Sequence, residues 1–252
     1  MIRRDFFLKL LISYGLQCIV VYALHKSKTL ISDYNGCRTK LFSTKSPSPI
    51  QVVPQGGSII LRCEELSKSY TGVPQFEKIS LNLCKGQRVG LIGVNGAGKS
   101  TLLKCLAKVD SADSGLVEAA SNSNVVYVDQ EPDWGSIMVY EALFNGNSPQ
   151  AVATRLYCKL LNPKESDNFD DNHFAEVTDK MESANAWEYQ DSGMSIADRL
   201  NIPNEYMYRN VDTLSGGERK RVGLAAALLK QPDVLLLDEV HKKYDYNLTN
   251  II

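Results

Sequence analysis

The segment that most constrains the fold of this 252-residue chain is Gly93-Val94-Asn95-Gly96-Ala97-Gly98-Lys99-Ser100-Thr101. A short apolar run at residues 87–92 precedes it, and leucines at helical spacing follow it. This is the pattern G-x-x-x-x-G-K-[ST] between a strand and a helix. Its glycines allow backbone N–H groups to curl around a phosphate, and the helix N-terminus adds partial positive charge. The segment therefore predicts a phosphate-binding loop, called the phosphate loop below, in an α/β fold.

Two further features predict the rest of a nucleotide site. Lys99 suits contact with the β- and γ-phosphates, and the Ser100 hydroxyl suits Mg²⁺ ligation. Residues 234–239 form an apolar run that ends in two carboxylates, as a buried parallel strand would. Asp238 suits an outer contact to Mg²⁺, and Glu239 suits a base or polariser for an attacking water.

A third motif is Leu214-Ser215-Gly216-Gly217-Glu218, which opens a helical pattern that Pro232 ends. Ser215 is a good N-cap residue, so a capped helix is one interpretation. The other is a second anion site, built from helix-terminal N–H groups and the serine hydroxyl.

This chain contains GVNGAGKST, LSGGE and VLLLDE, and these motifs resemble, in the same order, those of the ATP-binding-cassette (ABC) ATPases. Tyr70 lies where the family has an aromatic residue that stacks on adenine, and Gln130 lies where it has its Q-loop glutamine. The alternating run Ile79–Leu83 predicts an edge strand. The resemblance implies a P-loop NTPase domain with an antiparallel β subdomain and a helical subdomain.

The resemblance also implies the roles of individual residues. ATP would be held by Tyr70, Gly93, Asn95, Gly96, Ala97, Gly98, Lys99, Ser100, Thr101, Gln130 and Asp238. Catalysis would use Glu239, Lys99 and Gln130, and Mg²⁺ would be held by Ser100, Gln130 and Asp238, the last through water. In the family, ATP lies between two cassettes in a head-to-tail dimer, so Ser215, Gly216, Gly217 and Glu218 would complete the partner's site.

Within the superfamily the chain looks most like the ABC-F (Uup-like) type, because of QEP after the strand, AWEYQ at 186–190 and LSGGERKRVGLAAALL. Those proteins have no membrane domain and act on ribosomes or nucleic acid. The ribosome is therefore one expected partner. The alternatives are the nucleotide-binding subunit of a membrane transporter and a nucleotide-binding fragment without catalysis.

The family pattern stops after Glu239. ABC-F members continue with Pro-Thr-Asn-His-Leu-Asp, a D-loop and a strand that ends in a switch histidine, whereas Val240 and the polar tail that follows match none of these. His241 is too close to Glu239 to be that histidine. We therefore expect a single cassette cut short, a sheet with an open apolar edge, and ATP binding that outlasts hydrolysis.

The net charge of −1 conceals two unlike parts, since residues 1–50 carry +6 and residues 51–252 carry −7. The leader has a basic start and then an apolar stretch at residues 6–24. Fifteen uncharged residues, 10–24, span about 22 Å as a helix, short of a hydrocarbon core of about 30 Å. These features are typical of a signal followed by a transit sequence, which predicts delivery to a plastid or mitochondrion. A membrane anchor at residues 6–24 and a cytoplasmic protein are the alternatives.

The predicted domain organisation follows from these boundaries. A leader that does not fold covers 1–50, a linker covers 51–57, the ATP-binding domain covers 58–239 and an unrelated tail covers 240–252. A helical insert covers about 141–213. Within it, residues 141–191 carry a net charge of −6, which disfavours RNA contact through that surface.

Overall fold

The structure is a computed structural model that describes residues 19–24, 33–34, 37–38, 58–87, 89–92, 95–130, 132–162 and 171–238. These residues form two compact units. The first runs to Gln130 and resumes at Gln231, and the second comprises residues between Pro132 and Lys230. Among the described residues, no helix combines the length and the apolar character that crossing a membrane requires.

The first unit contains a four-stranded parallel sheet. In chain order its strands are β1 (Ile19–Leu24), β6 (Val89–Ile92), β8 (Val125–Val128) and β9 (Val234–Leu237). Their spatial order is β6-β1-β9-β8. Every side chain of β9 is fully buried, which confirms the prediction that this apolar run is an interior strand.

The position of β1 was not expected from the sequence. Residues 1–50 were expected to form an unfolded leader, yet the structure places part of that range between the strand that leads into the phosphate loop and β9. Val21, in the middle of β1, pairs with Val89 on one side and with Leu236 on the other. The open edge was expected beside the strand that leads into the phosphate loop. Among the described strands β6 pairs with β1 alone, so β6 is covered on one side and is an end strand on the other.

The strand registers align one row of residues across this sheet. Gly90 pairs with Tyr22, Tyr22 with Leu237, and Leu237 with Val128. Neighbouring strands lie about 4.8 Å apart, so β6 and β9 are separated by about 10 Å with β1 between them. All four strands are parallel. The phosphate loop and Asp238 therefore leave the same edge of the sheet.

A second, antiparallel sheet has the order β5-β4-β7. Its strands are β4 (Ile59–Tyr70), β5 (Val73–Cys84) and β7 (Ser114–Ala119). The predicted edge strand lies within β5, which is at the edge of this sheet, so that prediction is confirmed. A two-residue turn joins β4 to β5, with Thr71 at φ 49° and Gly72 at φ 79°. Positive φ at both positions is the type I′ geometry that matches the twist of a hairpin.

Helix α1 (Lys99–Leu106) follows the phosphate loop directly. Its buried face joins an apolar core to which the antiparallel sheet and β9 also contribute, including Leu61, Leu66, Leu83, Leu103, Leu106, Val234 and Leu236. This packing fixes the direction of the helix. A short hairpin, β2 (Asp33–Tyr34) with β3 (Cys37–Arg38), is also present.

The second unit is helical, as predicted for the insert. Its helices are α2 (Val139–Leu143), α3 (Pro149–Leu160), α4 (Asp171–Ser183), α5 (Trp187–Arg199) and α6 (Gly216–Leu229). Two single 3₁₀ turns, Asn204–Tyr206 and Val211–Thr213, precede α6. Aromatic pairs hold the helices together: the Phe144 and Tyr189 rings lie 5.9 Å apart, and Tyr157 meets Trp187 edge-on at 5.0 Å.

Candidate functional site

The phosphate loop reaches α1 through glycines in the left-handed region. Gly98 is the N-cap residue of α1 at φ 76°, with no side-chain hydrogen bond to the helix and no acidic residue in the first turn. The first backbone N–H groups of α1 are therefore not capped by a side chain, which suits an anion. Lys99 is only 7% exposed, whereas Asn95 and Gly96 are exposed.

Gly98 has a second constraint that Gly96 lacks. A Cβ at position 98 would lie 2.7 Å from the carbonyl oxygen of Gln75, whereas one at position 96 would have no neighbour within 4 Å. Both residues have φ near 77°, a conformation that costs an L-residue about 1–2 kcal/mol. Position 98 therefore combines backbone strain with a close approach to β5.

We expect Gly98→Ala to destabilise the chain and weaken ATP binding more than Gly96→Ala does. Both variants carry the left-handed penalty of about 1–2 kcal/mol, and only Gly98→Ala must also move the Gln75 backbone. Thermal unfolding and titration with a fluorescent ATP analogue measure the two effects. Equal losses in the two variants would contradict the close contact with Gln75.

Tyr70 lies at the end of β4, beside α1. Its hydroxyl donates to the Asp110 carboxylate and also hydrogen-bonds with Thr101. The hydrogen bond from Tyr70, and next that from Lys68, holds the pKa of Asp110 below its usual range. The ring is 44% exposed, with the Lys68 Nζ atom 5.2 Å from its centroid. The structure thus brings Tyr70 and Thr101 together, and adenine stacking on Tyr70 stays a prediction.

Lys68 and Asp110 are two residues of this site that the motifs did not reveal. The Lys68 ammonium lies 3.1 Å from Asp110 and 3.7 Å from Asp113, and its side chain is 9% exposed. It also donates to the Ser111 carbonyl oxygen at 2.5 Å. These contacts tie β4 to the turn after α1. The sequence carries no signal for them because the partners lie about 42 residues apart.

Asp238 follows β9 and is 2% exposed. Its Oδ2 accepts a hydrogen bond of 3.1 Å from the Tyr127 hydroxyl, and its Oδ1 has no hydrogen-bond partner in the structure. A buried carboxylate oxygen without a partner is costly unless a ligand or water satisfies it. This arrangement fits the predicted role of Asp238 toward a hydrated Mg²⁺.

The rest of the metal chemistry also fits Mg²⁺. Mg²⁺ keeps several waters and is bound in nucleotide sites by one or two protein groups plus phosphates. Ser100 in the first turn of α1 and Asp238 directly after β9 have oxygen atoms suited to this, and their binding of Mg²⁺ stays a prediction. Gln130 lies two residues beyond β8 at the same edge of the sheet, and its role as the Q-loop glutamine stays a prediction.

Several predicted residues cannot be placed in this site. Gly93 and Glu239 lie outside the described residues, as do the linker at 51–57 and the tail at 240–252. Ser215, Gly216, Gly217 and Glu218 belong to the second unit, at the start of α6. There the Ser215 hydroxyl accepts from the Glu218 N–H at 3.3 Å, and the Glu218 carboxylate accepts from the Ser215 N–H at 2.7 Å.

This reciprocal pair is a capping box and confirms Ser215 as an N-cap residue. The hydrogen bonds from Ser215 hold the pKa of Glu218 below its usual range. The Tyr206 hydroxyl donates to the same carboxylate at 3.3 Å. Glu218 therefore has a structural role at the start of α6, and the contribution of Ser215–Glu218 to a partner's site stays a prediction.

Comparisons with known proteins agree with these motifs. A family model described as ABC transporter matches residues 76–242. YfmR of Bacillus subtilis, an uncharacterized ABC transporter ATP-binding protein, is 33% identical over 71% of this chain and 29% of its own length. ABC transporter F family member 2 of Arabidopsis thaliana is 28% identical over 79% of this chain and 30% of its own. The probable ATP-binding protein YheS of Escherichia coli K12 is 34% identical over 61% of this chain and 23% of its own.

The chain thus spans about a quarter to a third of the length of these relatives. Among solved structures, an ATP-binding subunit of an ABC transporter is similar with a TM-score of 0.51 at 19% identity, over 72% of this chain and 66% of that one. MJ1267, an ATP-binding cassette of an ABC transporter, gives 0.50 at 22% identity, over 74% and 71%. These likenesses show the fold, and with the family model they establish that the chain belongs to the ABC ATPase family.

Proposed function

We propose that this chain binds Mg-ATP at the edge of the parallel sheet where the phosphate loop and Asp238 emerge. The observation that carries the proposal is Asp238, a buried carboxylate with one unsatisfied oxygen at that edge. The phosphate loop leads into a helix start without a side-chain cap, and Lys99 is buried beside it. A phosphate chain and a hydrated cation would satisfy both features.

The chemistry we propose is hydrolysis of the β–γ phosphoanhydride. Water attacks the γ-phosphorus, the bond to the bridging oxygen breaks, and ADP leaves with inorganic phosphate as the second product. Mg²⁺ supplies charge neutralisation on the phosphate oxygens when it is bound. Lys99 holds the β- and γ-phosphates, Gln130 senses the γ-phosphate and metal, and Glu239 polarises the water. A partner cassette in a head-to-tail dimer completes the site with its own Ser215, Gly216, Gly217 and Glu218.

For the process served, we propose ribosome-associated work of the ABC-F type. The support is the amino-acid sequence of the motifs, which resembles that of ABC-F proteins, and the similarity to an F family member of Arabidopsis. A further relative is the tylosin resistance ATP-binding protein TlrC of Streptomyces fradiae, 31% identical over 69% of this chain and 33% of its own. The acidic surface at 141–191 argues against RNA contact through the helical insert, so contact through other surfaces is proposed.

We expect the chain to cosediment with ribosomes when ATP and Mg²⁺ are present, because ABC proteins change partner affinity with nucleotide. The measurement is sucrose-gradient sedimentation of the purified chain with ribosomes, with and without ATP. A Lys99→Ala variant is the control, since it removes nucleotide contact without changing the surface charge pattern elsewhere. Absence of the chain from the ribosomal fractions in ATP would contradict the ribosomal role.

The second candidate is a nucleotide-binding subunit of a membrane transporter. The description of the matching family model, and the transporter cassettes that share the fold, favour it. Affinity purification of the tagged chain from membranes separates the two. Recovery of a multi-span permease, together with no ribosome binding, would replace the first proposal by the second.

A further inference from the structure

Tyr127 and Asp238 lie on the same face of the parallel sheet. Tyr127 is in β8 and pairs with Leu236 of β9, so Asp238 is the diagonal neighbour two positions further on. Diagonal neighbours in a sheet are within reach of long aromatic side chains. The Asp238 N–H donates to the Val128 carbonyl at 3.1 Å, which continues the ladder past the end of β9 and fixes the backbone of the carboxylate.

The Tyr127 hydroxyl forms a hydrogen bond with only one of the two oxygens of the Asp238 carboxylate. It donates to Oδ2 at 3.1 Å, and Oδ1 is buried with no partner. A phenolic hydroxyl has one proton to donate, and here that proton is directed at Oδ2. One oxygen is thus fixed by the protein, and the other is left for a ligand.

Other contacts keep the Tyr127 ring in place. The ring packs against the apolar core of the first unit. Lys104 of α1 lies with its Nζ atom 6.0 Å from the ring centroid and 3.3 Å from the carboxylate of Asp129, which follows β8. Since α1 begins at the phosphate loop, these contacts link Tyr127 to the elements that carry the rest of the nucleotide site.

We propose that Tyr127 is a positioning residue for Mg²⁺, because its hydroxyl orients the Asp238 carboxylate so that Oδ1 accepts from a metal-bound water. The proposal rests on the Mg-ATP site described above. Groups that orient the ligands of a metal commonly change metal affinity by 10- to 100-fold when removed. A purely structural tyrosine would instead change stability and leave the Mg²⁺ requirement unaltered.

The test is Tyr127→Phe in the full chain, which keeps the ring and removes the hydroxyl. Binding of a fluorescent ATP analogue is measured in EDTA and during titration with Mg²⁺. Chelation of Mg²⁺ by the nucleotide in solution is the same for every variant, so differences report on the protein. In EDTA we expect Tyr127→Phe to bind the ATP analogue as tightly as the wild type does. In the titration, the Mg²⁺ concentration that gives half of the increase in analogue affinity should be about tenfold higher for the variant.

Two companion variants make the result specific. Asp238→Asn is expected to raise the Mg²⁺ requirement at least as much, and Tyr208→Phe, a tyrosine of the second unit, is expected to leave it unchanged. If Tyr127→Phe matches the wild type while Asp238→Asn loses the Mg²⁺ response, the positioning role is wrong and the Mg-ATP site stands. If the wild type itself shows no ATP binding, the proposed function fails and this inference fails with it.

Discussion

Deletion of residues 1–25 is expected to prevent folding of the first unit, whereas deletion of residues 1–17 is expected to leave it folded. The longer deletion removes β1, which pairs with β6 on one side and β9 on the other. Closing the gap would require one neighbour to shift by a strand spacing of about 4.8 Å. Each buried backbone group left without a partner costs about 1–3 kcal/mol, and several such losses approach the whole stability of a domain, about 5–15 kcal/mol.

The measurement is the soluble yield of the two truncated chains, followed by thermal unfolding of whatever is soluble. A point variant provides a finer test. Val21→Pro removes a backbone donor in the middle of β1, where a central strand does not tolerate proline, and Ser43→Pro in the same range but outside β1 is the control. Equal stability of the two truncated chains would show that β1 is dispensable.

This result also bears on targeting. Delivery to a plastid or mitochondrion, with residues 1–50 as a removable presequence, stays a prediction. A cleavage that removes all 50 residues would also remove β1, whereas a cleavage before Ile19 would leave the sheet complete. If β1 is required, mass spectrometry of the cellular protein should find its N-terminus at or before residue 19, or no cleavage in this range.

Local sequence was sufficient for the elements that carry motifs. The phosphate loop, α1, β9 and the Ser215 cap follow from short-range chemistry, since glycine conformations, helix capping and a run of buried residues are encoded within a few positions. The sequence did not predict β1, because a six-residue apolar segment fits a signal sequence as well as a β-strand. The β-branched residues Ile19, Val20 and Val21 were the available signal for a strand.

In the helical insert, the periodicity of apolar residues predicted helices but did not determine which side chains are buried. Val152, Leu156, Leu160 and Leu161 recur at helical spacing, but Val152 and the C-cap residue Leu161 are exposed. The buried side chains of that helix include Ala151, Thr154 and Cys158, because small residues allow close helix packing there. On α4, Phe174, Val177 and Met181 also recur at helical spacing, yet only Val177 and Met181 are buried and Phe174 is exposed.

Contacts between distant residues were beyond the reach of the sequence. Tyr127 meets Asp238 across 111 positions, and this pairing depends on the register of β8 against β9. Register is set by packing of both sheet faces, and a shift of one residue would direct Tyr127 to the opposite face. The motif residues were therefore predictable, and the side chains that orient them were not.

Lys99→Ala is expected to weaken ATP binding about 100-fold. Lys99 is buried at the first position of α1, and in the proposed site its ammonium bonds to phosphate oxygens. A hydrogen bond to a charged group contributes about 1.5–3 kcal/mol, and about 2.8 kcal/mol corresponds to a factor of 100 in affinity. Isothermal titration with ATP and Mg²⁺ measures the change.

Lys108→Ala is the matched control, because Lys108 is an exposed lysine two residues after the end of α1. It removes the same charge from the same region without touching the phosphate loop, so its ATP affinity should remain within about twofold of the wild type. Thermal unfolding without nucleotide shows whether Lys99→Ala is still folded. The stabilisation that ATP gives to the wild type should then be absent from Lys99→Ala and retained in Lys108→Ala, since a ligand stabilises only the state that binds it. Equal stabilisation of both variants by ATP would mean that the nucleotide binds elsewhere on the chain.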